Sequence, residues 1–114
     1  MEIKNKDYYV VYDPTSASVT FQGTLRLRAA SEYAPIVQLL DEIVTAAPAT
    51  ITLDLRELHF LNSSGLNMLF RFLVNLGNQG PSQVIVRGAA QVPWQVKAIK
   101  SMRRLSPGLQ PALE

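Results

Sequence analysis

The stretch over residues 51–73, ITLDLRELHFLNSSGLNMLFRFL, constrains the fold more than any other part of the chain. Ile51, Leu53 and Leu55 alternate with Thr52, Asp54 and Arg56, the period-two pattern of a strand with one buried face. Leu58, Phe60 and Leu61 carry the apolar theme into a turn. Asn62 or Ser63 then offers a side-chain oxygen to the unpaired N–H groups of a first helical turn. Leu66, Leu69, Phe70, Leu73 and Leu76 recur at spacings of three and four, the apolar stripe of an amphipathic helix, with Asn67, Arg71, Asn75 and Asn78 opposite. Ser64 and Gly65 therefore stand at a helix N-terminus, where free backbone donors and the macrodipole tolerate a negative charge. By itself such a run marks a cap and a turn more often than a regulatory serine.

The flanking sequence supplies the partners of this strand and helix. Strands are expected over 8–12 and 18–22, joined by the turn Asp13-Pro14-Thr15, after which Leu25 and Leu27 alternate with Arg26 and Arg28. A helix follows over about 31–46, capped by Ser31, with Tyr33, Ile36, Val37, Leu40, Ile43 and Val44 buried. Pro35 removes an early backbone bond or moves the helix start later, and Ala47-Pro48-Ala49 ends the helix. After the central strand and helix come a loop over 77–81 and a strand at Val84-Ile85-Val86, completing a parallel β-α-β unit with a right-handed crossover. A last helix starts near Pro93 with Val92, Val96 and Ile99 on its core side, and Ser106-Pro107-Gly108 stops it. Residues 109–114 either add a short edge segment or fray. The expected architecture is α/β: one domain over 1–114, a mixed sheet of about four to five strands in β-β-α-β-α-β-α order, with helices mainly on one face.

Composition narrows the functional classes. The chain has 114 residues and no cysteine, which excludes disulfides and thiolate chemistry and is compatible with a reducing cytosol. No apolar run reaches the roughly 18 residues of a membrane span, and the N-terminal residues lack the apolar core of a signal peptide, so a cytoplasmic protein is expected. The net charge is only +2, but it is unevenly placed. Residues 1–80 hold six Lys/Arg against eight Asp/Glu, and residues 81–114 hold five against one. Lys97, Lys100, Arg103 and Arg104 gather on one side of the last helix, a pattern that suits a solvated, dipole-matched face better than a nucleic-acid patch.

Catalysis finds few tools here. His59 is the lone histidine, and with Asp54 and either serine it could be drawn as a nucleophilic triad, but nothing fixes that geometry and no Gly-x-Ser-x-Gly elbow is present. Phosphate-cradling and dinucleotide glycine motifs are missing, and no residues cluster at metal-ligand spacing. No catalytic residue, cofactor or metal is expected.

The central stretch resembles the signature of the STAS family (sulfate transporter and anti-sigma-factor antagonist). The matching residues are Leu53-Asp54-Leu55, Phe60-Leu61 and Asn62-Ser63-Ser64-Gly65-Leu66, with the Gly23-Thr24-Leu25 element before the first helix and Val84-Ile85-Val86 before the last. The resemblance implies a partner-switching module of anti-sigma factor antagonist type, which binds an anti-sigma factor or related serine/threonine kinase until phosphorylation of the serine before the glycine releases it. That serine is Ser64, with Ser63 the neighbouring alternative, and a phosphatase would reset the switch. Two positions depart from the family pattern. Asn62 stands in place of the usual aspartate, and Arg26, followed by Arg28, in place of an acid. The docking surface expected from this reading comprises Asn62, Ser63, Ser64, Gly65 and Met68, where Met68 either closes the edge of the core or joins the surface. The competing expectation is a constitutive scaffold or nucleic-acid-associated module using the basic last helix. Nucleotide binding is a further property that the resemblance implies for some relatives.

Overall fold

A computed structural model describes residues 1–79 and 83–114. The elements are β1 (Glu2–Lys4), β2 (Tyr8–Asp13), β3 (Ser18–Leu25), α1 (Ala30–Ala46), β4 (Thr50–Leu61), α2 (Ser63–Gln79), β5 (Gln83–Gly88), α3 (Pro93–Leu105) and β6 (Gln110–Leu113). Six strands form one sheet in the order β1-β2-β3-β4-β5-β6. The first two pairings are antiparallel and the last three parallel. The three helical crossovers step in the same direction across the sheet, and right-handed connections therefore put all three helices on one face. The sheet is wider than expected at both ends. β1 is too short and polar to show as a pattern, and the tail resolves as an edge strand because β5 offers it a ladder.

β4 is the centre of the molecule. Ile51, Leu53, Leu55 and Leu58 are all fully buried, although the last two are three residues apart. Register shifts against β3, between Thr20 and Gln22 and between Gly23 and Thr24, each place an extra residue in β4. Such bulges change the phase of a strand, so Leu55 and Leu58 reach the same core face. The strand thereby runs on to Leu61 instead of turning after Arg56.

Several local expectations give way to tertiary context. Ser31 does not cap α1, which starts at Ala30 with an extended Ala29 before it. The Glu32 carboxylate reaches back to the Arg28 N–H instead, at 2.9 Å. Pro35 lies within α1, and the helix continues through it. The buried face of α1 is Ile36, Leu39, Leu40, Ile43 and Val44, leaving Tyr33 and Val37 partly exposed. The loop expected to begin at Gly77 starts later, because α2 continues to Gln79; Gly80 and Pro81 lie outside the described residues. On α3 the buried residues are Gln95, Ala98, Ile99 and Met102, whereas Val92 and Val96 are only partly buried. No helix among the described residues is long and apolar enough to cross a membrane.

Candidate functional site

Asn62 is the hinge between β4 and α2. Its Oδ1 accepts the Gly65 N–H at 3.0 Å, which satisfies one of the donors the first turn leaves free. Its Nδ2 donates to the Leu27 carbonyl at 2.9 Å, and its own N–H donates to the Leu25 carbonyl at 3.2 Å. One residue therefore caps the helix and ties the segment between β3 and α1 against it. An aspartate could supply the cap but not the donor to Leu27. The departure at this position thus has a structural counterpart: the chain uses the amide, and the end of α2 carries no charge from its cap.

Ser63 and Ser64 occupy the first two helical positions and are exposed. α2 has no acidic residue in its first turn, so nothing on the helix offsets the positive end of its dipole there. Gly65 is buried, and a Cβ at this position would run into the Leu61 side chain, which lets β4 and α2 meet closely. Met68 is 8% exposed. It closes the core on one side and lines a groove on the other.

That groove lies between α1 and α2 and has a volume of about 220 Å³. α1 contributes Tyr33, Val37, Leu40 and Asp41; α2 contributes Ser64, Asn67, Met68, Arg71, Phe72 and Asn75. Ser64, Asn67 or Met68, Arg71 and Asn75 repeat at three and four residues, so a single flank of α2 faces it. The walls are mixed, with an apolar floor and one charge of each sign.

Arg26 and Arg28 are held near this end by the bonds from Asn62 to Leu25 and Leu27. The Arg26 guanidinium lies over the exposed Phe60 ring, 4.7 Å from its centroid. A second, polar depression of about 340 Å³ has Asp7, Thr24, Arg26, Leu27 and Glu32 among its lining residues.

The residues of the hypothetical triad are engaged elsewhere. Asp54 is largely buried, and both its oxygens accept from Arg56, at 3.0 Å from Nε and 2.9 Å from Nη2. Burial pushes the Asp54 carboxyl up, but the Arg56 hydrogen bonds and charge, with Arg87 beyond, outweigh it and hold the group below its ordinary value. Glu114 completes a network by bridging Arg56 and Arg87. His59 is exposed, and its carbonyl accepts the Trp94 indole N–H at 3.1 Å. Among the described residues, no three His, Asp or Glu side chains converge as a metal site would require.

Gln95 was not singled out in the sequence. It is fully buried, donates through Nε2 to the carbonyls of Leu55 at 2.7 Å and Leu58 at 2.9 Å, and accepts the Ala89 N–H at 2.6 Å. β4 pairs with β5 only as far as Asp54, opposite Arg87, so the Leu55 and Leu58 carbonyls have no β5 partner. Gln95 takes the place of the missing ladder. The signal was present as a glutamine in register with Ala98, Ile99 and Met102, a polar residue at a core position of an amphipathic helix.

The sequence matches no protein-family model and no curated protein. Its structure is similar to solved structures of the same architecture. A chain of the Pseudomonas aeruginosa complex of the diguanylate cyclase SiaD with its activator SiaC superposes with a TM-score of 0.74 at 16% identity, covering 99% of this chain and 97% of that one. SiaC of Pseudomonas aeruginosa gives 0.73 at 15% identity, over 100% and 96% of the two chains. An anti-sigma factor antagonist from Mycobacterium paratuberculosis gives 0.69 at 18% identity, over 96% and 92%. The fold is thus the STAS-like fold of anti-sigma factor antagonists, as the resemblance in the central stretch implied, with a wider sheet.

Proposed function

We propose that the chain is a non-catalytic signalling module of anti-sigma factor antagonist type, which binds a protein partner through the surface at the start of α2 and is switched by phosphorylation of Ser64. The observation that carries this reading is the exposed Ser64 at an uncharged helix N-terminus, on the rim of the α1/α2 groove. The partner is an anti-sigma factor or related serine/threonine kinase, with a phosphatase to restore the free hydroxyl. The complex that SiaC forms with a diguanylate cyclase supports the coarser idea that a protein of this fold engages other proteins. The cysteine-free composition is compatible with action in the cytoplasm.

In this reading Asn62, Ser63 and Ser64 form the rim of the docking surface, Gly65 permits the close approach beneath it, and Met68 lies in its floor. A phosphate would add about −1.5 to −2 charges at neutral pH. The helix end can hold that charge, while a closely packed partner surface would be repelled and left with unpaired groups. A loss of about 3 kcal/mol would weaken binding by roughly a hundredfold.

Intact mass measurement of natively expressed protein, with peptide mapping across residues 62–71, is the direct test of the modification. A phosphate on Ser63 instead would move the switch by one residue. Affinity capture then separates the states: Ser64→Ala should retain partners in all conditions and Ser64→Asp should lose them. A Ser64→Asp protein with undiminished capture would overturn the switch.

A further inference from the structure

A second surface, outside the proposed switch, lies on the outer side of α2 and α3. Residues 58–113 contain no aspartate or glutamate. Within that span Lys97, Lys100 and Arg104 fall at i, i+3 and i+7 on α3, opposite its buried Gln95, Ile99 and Met102. All three are exposed, and none takes part in an ion pair among the described residues. The contrast with Arg56 and Arg87 is plain, since both of those are paired to carboxylates. Dipole matching accounts for Arg104 in the last turn of α3. It does not account for Lys97, the fifth residue of a 13-residue helix and outside its last turn.

Apolar groups share this face. Val74 is 41% exposed and Leu105 46% exposed. Val74 follows the half-buried Phe70 by four residues and stands at the outward pole of α2, opposite the buried Gly65, Leu69 and Leu76. Leu105 comes three turns after Trp94, whose indole is fixed to the His59 carbonyl at the end of β4, the strand that leads into α2. Helical geometry therefore turns Leu105 toward the α2 side of α3.

We propose that this face docks an acidic amphipathic segment of a protein partner, with carboxylates opposite Lys97, Lys100 and Arg104 and apolar side chains over Val74 and Leu105. Charge complementarity selects an acidic occupant. The exposed apolar residues select a protein over a nucleic acid, whose phosphates would use the cations alone. The inference goes beyond the Ser64 switch and stands on separate residues.

The test uses the full chain, labelled with 15N, and a fluorescein-labelled helical peptide of about 18 residues bearing Leu at i, i+3, i+4 and i+7 and Glu elsewhere. A Glu/Ser peptide without Leu and a duplex DNA of about 20 base pairs are the comparison probes. The Leu/Glu peptide is expected to shift the amides of Val74, Lys97 and Leu105. Its affinity should fall about tenfold in the double variant Lys97→Glu, Arg104→Glu, fall less in Leu105→Ala, and stay unchanged in Ser64→Asp. Unshifted amides at this face with millimolar peptide would overturn the proposal. So would equal binding of the Glu/Ser peptide, or preferential binding of the duplex. Failure here leaves the Ser64 capture experiment unaffected, so the two readings fall separately.

Discussion

The starts of α2 and α3 solve the same physical problem in opposite ways. Each helix follows a strand of the parallel part of the sheet, and each leaves free N–H groups at its first turn. At α2 the solution is local: Asn62 caps Gly65 three residues ahead, and the two serines that follow are left facing out. At α3 there is no side-chain cap. Val92 is extended, Pro93 brings no N–H, and the side chain of the third helical residue, Gln95, is spent on distant backbone groups. The helix end fastened by a near neighbour keeps its serines in water, whereas the other end holds the scaffold.

This contrast can be broken most severely at Gln95. Gln95→Leu would strand two carbonyls and one N–H in the interior, and unsatisfied buried groups of this kind carry penalties of about 1–3 kcal/mol each. Relaxation will recover part of that, so a loss of about 3 kcal/mol is expected in chemical denaturation. A loss below 1 kcal/mol would mean that water or backbone movement replaces the glutamine.

At the other helix, Asn62→Ala should remove the cap and the Leu27 tie, for about 2 kcal/mol. Asn62→Asp is the sharper variant. It keeps the cap and gains a favourable interaction with the dipole, but sets an oxygen against the Leu27 carbonyl, so it should still destabilise by about 1 kcal/mol. Asn62→Asp equal to or more stable than the parent would show that the amide donor is unimportant.

A smaller effect belongs to the open face of the sheet. Because the Asp54 carboxyl is held below its ordinary value of 3.8, its contribution is present above that value and is lost as pH falls through the lower folded-state value. Asp54→Asn should therefore cost about 1 kcal/mol at pH 7 and flatten the stability curve below pH 3.8. An unchanged acid limb in thermal melts would show that other carboxylates govern it. The smallest change expected is a gain: Val92→Thr gives α3 the cap it lacks, for about 0.5 kcal/mol, read as a slightly higher melting temperature.

Much of the fold was legible because its signals are local. Alternation at Ile51, Leu53 and Leu55, the three-four spacing from Leu66 to Leu76, and the turn at Asp13-Pro14-Thr15, where the Thr15 N–H meets the Asp13 carboxylate, need only neighbours in sequence. The end of β4 was harder to read, because two extra residues change its phase and only pairing with β3 reveals them. The α1 cap was misplaced for a similar reason. Ser31 has the right chemistry, but the Leu27 segment is fixed to Asn62 and the helix begins before the serine is reached.

By itself, the sequence determined that an asparagine, two serines and a glycine would open a helix after a buried strand, since a cap is chosen by side chains three residues away. Only the tertiary structure decided which groups would face water. The same Asn62 that caps α2 also receives the β3-to-α1 segment, and Gln95 stays inside because bulged β4 needs donors where β5 has departed. Such bonds span 35 and 40 residues, and no local pattern encodes their geometry.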